Sequence, residues 1–206
     1  MPCLILIRHG QSLWNLKNIF TGWRDIDLSQ KGKKEAKKAG IILRKKKVKF
    51  DAAYTSVLIR AIKTLDIILK TMKHEKIPIK KSWRLNERDY GNLVGMNKDD
   101  ARKKFGVEQV HIWRRSYDVA PPDGESLKDT AERTLPYFKR YIMTDIKKGK
   151  NVLVSAHGNS LRSIVMRLDK LTKKEVINLE IPTGVPIIYE FGKRGKIKSK
   201  KILKDG

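Results

Sequence analysis

The sequence predicts an α/β fold: a three-layer arrangement in which a mostly parallel central sheet is flanked by helices. Three observations predict it. Short apolar runs alternate with longer amphipathic stretches along the chain, the pattern of strands joined by crossover helices. Two of the apolar runs end alike, Leu4-Ile-Leu-Ile-Arg-His9-Gly10 and Val152-Leu-Val-Ser-Ala-His157-Gly158. No low-complexity linker divides the chain, so 1–206 is expected to be a single domain.

Each element has a local reason. The run Leu4-Ile-Leu-Ile7 reads as a buried strand that stops at a cation, an imidazole and a glycine. Phe20-Thr-Gly-Trp23 reads as an irregular turn. Ser29 is an N-cap for a helix over about 31–47, with Ala36, Ala39, Ile42 and Leu43 at helical spacing. Asp51-Ala-Ala-Tyr-Thr-Ser56 is a second strand and turn, and 57–70 is an amphipathic helix with Ile62, Leu65, Ile68 and Leu69 inward. Pro78 opens a short edge strand, where a missing N–H is tolerated.

From Trp83 to Gly124 the periodicity fails. The segment is rich in Arg, Glu, Asp, Tyr and Trp, and long irregular segments of this kind carry function. Ser126 caps a long helix whose stripe is Leu127, Ala131, Leu135, Phe138 and Ile142, with a kink expected at Pro136. The second His-Gly strand leads into a helix over 158–168 and a short one from Thr172. Two closing strands, 186–191 and 196–203, are joined by a glycine-flanked turn.

Composition narrows the function. With 47 Lys+Arg against 22 Asp+Glu, the formal charge is +25. That balance raises nucleic-acid binding as a rival class. Lys outnumbers Arg more than two to one and is spread along the chain, whereas specific readout leans on Arg. A Lys-biased surface that attracts small polyanions is the preferred reading. No apolar run reaches membrane-span length, and the first is too short for a signal peptide, so no membrane partner and a cytoplasmic location are expected. The single cysteine, Cys3, reads as a small core residue, and the four Trp residues as site walls and packing. His74 and His111 lie in no motif and read as structural.

The two strand-end histidines admit three chemistries. Metal binding lacks partners at ligand spacing, and a serine triad lacks a nucleophile elbow around Ser12 or Ser160. Phosphoryl transfer with a histidine nucleophile needs one free imidazole nitrogen, cations and N–H donors. Arg8, Arg60 and the helix N-terminus at Gly158-Asn159 supply them.

These residues carry a resemblance. Arg8-His-Gly-Gln-Ser-Leu-Trp-Asn15, Phe20-Thr-Gly-Trp23, Tyr54-Thr-Ser-Val-Leu-Ile-Arg-Ala61, Leu85-Asn-Glu-Arg-Asp-Tyr-Gly91, Trp113-Arg-Arg115, Ala156-His-Gly-Asn-Ser160 and Ile181-Pro-Thr-Gly-Val-Pro186 follow in order. The chain resembles the cofactor-dependent phosphoglycerate mutases of the histidine phosphatase superfamily. The Arg-His-Gly stretch marks the superfamily. The Leu-Asn-Glu-Arg, Trp-Arg-Arg and Pro-Thr-Gly segments point to the mutase branch.

The resemblance implies interconversion of 2- and 3-phosphoglycerate through a phosphohistidine primed by 2,3-bisphosphoglycerate, without a metal, in glycolysis and gluconeogenesis. By that resemblance His9 is the nucleophile, His157 a donor to the transferring group, Arg8 and Arg60 its clamp, and Glu87 the general acid/base. Asn15 and the backbone near Gly158 add donors. Thr21, Gly22, Tyr90, Lys98, Arg114, Arg115 and Asn159 hold the rest of the substrate. Gly10, Gln11, Ser12, Arg88 and Asp89, in the same motifs, are counted with the binding site. A phosphatase on the same fold is the alternative within the enzyme class. Pro121-Pro-Asp-Gly-Glu-Ser126 is shorter than the connection in longer bacterial members. It leaves the cover of the site and the oligomer surface open, and a homodimer is compatible with it.

Overall fold

Alternation along the first strand decides how the sheet is covered. The computed structural model describes residues 1–192 and 195–203. In β1 (Cys3–Arg8), Leu4 and Leu6 enter one core and Ile5 and Ile7 the other, because successive strand side chains point to opposite faces. β4 (Val152–Ala156) does the same with Val152 and Val154 against Leu153. Both strands are therefore buried on both sides, as their continuous apolar sequence demands.

The other strands are β2 (Ala52–Thr55), β3 (Ile79–Lys81), β5 (Ile187–Phe191) and β6 (Ile197–Ile202). The sheet order is β3-β2-β4-β1-β5-β6. β3, β2, β4 and β1 run parallel, while β5 and β6 join antiparallel. The largely parallel sheet expected from the sequence is present, and the Pro78 strand lies at its edge. The glycine-flanked turn expected between the closing strands includes 193 and 194, which lie outside the described residues, as do 204–206.

The helices are α1 (Leu13–Leu16), α2 (Gln30–Lys45), α3 (Ile59–Met72), α4 (Lys98–Phe105), α5 (Val107–Arg115), α6 (Leu127–Tyr137), α7 (Met143–Lys147), α8 (Gly158–Asp169) and α9 (Lys173–Asn178). Ser29 caps α2 by accepting from the Gly32 N–H, and Ser126 closes a capping box with Asp129 on α6. Ala39 and Leu43 of α2, with Leu65, Ile68 and Leu69 of α3, cover the Ile5 and Ile7 face. Leu161, Ile164 and Val165 of α8 cover the Leu4 and Leu6 face, together with α6.

Several local expectations need correction. The helix after β2 starts at Ile59 rather than 57, because Val57 and Leu58 are drawn into an extended turn where the Val57 N–H donates to Asn86 and the Leu58 N–H to Ser56. Ile42 and Ile62 are only half-buried, the innermost positions going to smaller neighbours, Ala39 and Ala61. Leu135 is likewise half-buried, with Thr134 and Tyr137 inward instead. Pro136 lies inside the helix, as expected, close to where it departs from regular α geometry. α6 ends at Tyr137 and Phe138–Ile142 forms a π-helical turn before α7. The short α1, capped by Ser12 and Asn15, has no periodic signature in the sequence.

β1 hands the chain to α2 on one face, and its neighbour β4 hands it to α8 on the other. Their carboxyl ends thus open a crevice at a topological switch point, the place where open α/β sheets bind ligands.

Candidate active site

Adjacent register brings the two histidines together. Arg8 pairs with Ala156, and the His9 N–H donates to the Ala156 carbonyl at 2.9 Å. The rings of His9 and His157 face each other with centroids 4.9 Å apart. Both are buried. His9 Nδ1 donates to the Gly10 carbonyl at 2.7 Å, which fixes the tautomer and leaves Nε2 as the nitrogen with a lone pair. His157 Nε2 lies 2.8 Å from the Ser56 hydroxyl, which also accepts from the Leu58 N–H. A serine proton directed to Nε2 would leave the His157 proton on Nδ1, a buried atom without a partner.

Neither imidazole is charged at neutral pH. Burial, then the Arg60 and Arg8 guanidiniums, hold His9 well below the ordinary imidazole range. Burial and Arg60, followed by His9 and Arg8, do the same to His157. The sign matters: a lowered pKa keeps the His9 lone pair available on the acid side of neutrality. A reaction that depends on this lone pair should therefore keep a level kcat/KM as pH falls from 7.5 through 6.5. An acid limb centred near 6.5, about the value of a free imidazole, would contradict the buried neutral His9.

Two arginines frame the pair. Arg60 is 1% exposed, and its guanidinium donates to the Arg24 and Gly22 carbonyls at 2.8 Å each. Arg8 Nη1 donates to the Ile181 carbonyl at 3.0 Å, while Arg8 Nε is buried without a partner. The Ile181-Pro-Thr-Gly segment is thus a strap over the end of β1. The Gly184 N–H donates to the Arg8 carbonyl, and a Cβ on Gly184 would stand 2.7 Å from Glu35 Cβ.

Glu87 occupies the N-terminus of α8. Its carboxylate accepts from the Gly158 N–H at 3.2 Å, the Asn159 N–H at 3.0 Å, the Asn159 side-chain amide at 3.0 Å and the Arg88 N–H at 2.8 Å. Burial alone would raise its pKa. Arg8 and these hydrogen bonds outweigh burial and hold it down at about 2. The Glu87 carbonyl is fixed in turn by Trp23 Nε1 at 2.6 Å and Arg133 at 2.8 Å, and Arg133 is itself paired with Glu125.

These groups line a cavity of about 140 Å³. Arg8, His9, Asn15, Thr21, Gly22, Arg60, Glu87, Tyr90, Lys98, Arg114, Arg115, Gly158 and Asn159 all reach its wall. His157 stands behind it, against His9. Five residues counted with the site from their motifs do not reach it. A Cβ on Gly10 would lie 2.2 Å from the Gly32 carbonyl oxygen, so Gly10 serves close packing of the β1 loop on α2. Gln11 bonds Ser29, and Ser12 caps α1. Arg88 braces the Tyr90 hydroxyl and the Arg114 carbonyl from behind, and Asp89 accepts from the Gly91 N–H.

None of the four Trp residues is among the lining residues; Trp23 works one layer out, on the Glu87 carbonyl. His74 bonds the Phe50 backbone, and Cys3 is half-buried in β1. The cavity also takes in Arg162 and Glu180, which the sequence reading missed. Arg162 had a usable signal, standing three residues after Asn159 on the same helix face.

The arrangement can transfer a phosphoryl group. It presents a neutral imidazole with a free nitrogen, buried cations, and two orphaned buried donors, Arg8 Nε and His157 Nδ1, of the kind that meet phosphoryl oxygens. Among the described residues no helix is long and apolar enough to cross a membrane.

Known proteins agree with this architecture. The chain is 56% identical over 200 residues to a 2,3-bisphosphoglycerate-dependent phosphoglycerate mutase of Parvibaculum lavamentivorans, covering 97% of this chain and 95% of that one. It is equally identical to a phosphoglycerate mutase of Schizosaccharomyces pombe, with the same coverage. The structure of Bacillus stearothermophilus YhfR superposes with a TM-score of 0.82 at 27% identity, over 96% of this chain and 95% of that one. A mycobacterial glucosyl-3-phosphoglycerate phosphatase shares the fold with a TM-score of 0.81 at 22% identity, over 98% of this chain and 97% of that one. Residues 4–201 match the histidine phosphatase superfamily (branch 1). With the paired histidines, the flanking arginines and this full-length match in hand, the chain belongs to the histidine phosphatase superfamily, branch 1.

Proposed function

We propose that this chain is a 2,3-bisphosphoglycerate-dependent phosphoglycerate mutase, acting in the cytoplasm on small phosphorylated metabolites with 1–206 as one catalytic domain. The observation that favours a mutase over a phosphatase is the second set of cations in the cavity. Beyond Arg8 and Arg60, the wall carries Lys98, Arg114, Arg115 and Arg162, more than one phosphoryl group needs. The names of relatives more than half identical over nearly the whole chain support the same reading.

Each residue then has a task. His9 Nε2 attacks phosphorus while Nδ1 stays bonded to the Gly10 carbonyl. The N–P bond forms as the bond from phosphorus to the substrate oxygen breaks. Arg8, Arg60 and the His157 Nδ1 proton meet the phosphoryl oxygens. Glu87 is ionised while it holds the α8 N-terminus. A phosphoryl dianion drawing on Arg8 and the Gly158 N–H takes those donors from it, and its proton affinity rises. Glu87 then takes up a proton from water, gives it to the departing oxygen as the P–O bond breaks, and recovers it from the hydroxyl in the return transfer. Bound 2,3-bisphosphoglycerate supplies the phosphoryl group that primes His9; the orphaned donors and the surplus of cations fit such a polyanion.

Arg114 and Arg115 divide their work unequally. Arg115 already donates to the Ile177 carbonyl and pairs with Glu180, whereas the Arg114 guanidinium has no hydrogen-bond partner among the described residues. Arg114→Ala should lower kcat/KM roughly ten- to hundredfold, the worth of a charge-assisted bond to a carboxylate, and raise phosphate release per isomerisation. Arg115→Ala should cost less. Isomerisation and phosphate release measured together for both variants test this; equal losses in both activities would mean that the arginines only bind substrate. The reading as a whole is tested by labelled bisphosphoglycerate, which should leave acid-labile phosphate on a peptide containing His9.

A further inference from the structure

The end of α9 and the strap that follows it, over 177–184, hold three arginines of the site by their backbone. Arg115 donates to the Ile177 carbonyl at 3.2 Å, Arg162 Nε to the Leu179 carbonyl at 2.7 Å, and Arg8 to the Ile181 carbonyl at 3.0 Å. Arg162 is tied down again, donating to Asn159 Oδ1 at 3.3 Å. The same strap carries Glu180. Its Oε1 lies 2.5 Å from Arg115 Nη2 and 3.7 Å from Arg162 Nη2. Each of these side chains has a backbone carbonyl to hold it besides any contact with the carboxylate. Its distinct contribution is charge. The lining residues carry six cations and, beside Glu87, only Glu180 as a second carboxylate.

We infer that Glu180 is a specificity-determining residue that holds back affinity for the more highly charged bisphosphoglycerate relative to monophosphoglycerate. This rests on the mutase reading. A monophosphoglycerate brings one phosphate and one carboxylate; bisphosphoglycerate brings a further phosphate, worth nearly two more negative charges. A fixed carboxylate in the wall repels each charge, so its penalty grows with ligand charge. It also engages Arg115 and Arg162, the cations that a second phosphate would otherwise claim. The Glu180 side chain is 63% exposed, so water and salt moderate the effect without removing it. The advantage to the enzyme is a priming compound that does not outcompete the substrate for the same cavity.

Glu180→Gln keeps the shape and an oxygen that can accept from Arg115, and removes the charge. It should tighten half-saturation of His9 labelling by 2,3-bisphosphoglycerate on the order of tenfold more than it lowers KM for 3-phosphoglycerate. The gap should narrow as salt is raised, and Glu180→Asp, which keeps the charge, should preserve the wild-type ratio. Unfolding midpoints of both variants should match wild type, since the residue is exposed; protection of each variant against unfolding by either compound gives the same ratio without turnover. If Gln weakens or strengthens both ligands by one factor, or Asp behaves as Gln does, Glu180 merely supports the arginines and the inference is wrong. Wild type that neither labels on His9 nor isomerises would instead overturn the mutase reading.

Discussion

His9→Ala should abolish isomerisation and leave no acid-labile phosphate on the protein. The loss should reach about ten-thousandfold or more, the scale seen when a nucleophile is removed from a site that otherwise stays assembled. The site should stay assembled because the His9 backbone remains in the sheet ladder through its bond to the Ala156 carbonyl. Arg8, Arg60 and His157 are each anchored independently of the imidazole, by Ile181, by Gly22 and Arg24, and by Ser56. The variant should thus still bind phosphoglycerate, detectable as a raised unfolding midpoint in its presence. Substantial turnover in this variant would remove His9 from the role of nucleophile.

Glu87→Gln should separate binding from transfer. Without a group that can shuttle a proton to the leaving oxygen, kcat should fall by roughly a hundred- to ten-thousandfold. KM should fall as well, because the carboxylate that competes for the α8 N-terminus is gone. A second signature lies in stability. With a pKa near 2 in the folded chain against about 4.3 when free, ionised Glu87 stabilises the fold above about pH 4.3. That contribution is lost as pH falls toward 2, so the variant should lose less stability across this window than wild type does. Unchanged kcat would show that another group handles the proton.

Much of this was legible in the chain because it follows from local rules. Both histidines end runs of apolar residues, and the two runs demand burial on both faces; neighbouring parallel strands satisfy that demand and put their ends side by side. Ser29 and Ser126 announce their helices by capping chemistry, and the failure of periodicity after Trp83 marks the segment that carries Glu87, Lys98 and Arg114. What escaped depends on contacts between distant segments. Glu180 is an ordinary acid until the strap after α9 sets it against Arg115, 65 positions away. Gly10 packs on the distant Gly32 backbone and gives His9 only its carbonyl, while Ser12 is used locally to cap α1 with Asn15.

The pairing of β1 with β4 makes the sheet itself the gauge of the chemistry. Neighbouring strands lie about 4.8 Å apart, and the two imidazoles stand at the same interval, 4.9 Å. The register of the two strands therefore decides which side chains stand opposite each other. A slip of one residue would carry a histidine about 3.3 Å along the strand and turn it to the opposite face, with nothing between. Substitutions in the surrounding loops can change what the pocket admits while leaving the pairing of β1 with β4, and with it the juxtaposition of His9 and His157, in place. Redesign toward other phosphorylated compounds is accordingly best aimed at α4, α5 and the strap around Glu180, where the wall can vary while the spacing of the reacting groups stays as the hydrogen-bond ladder sets it.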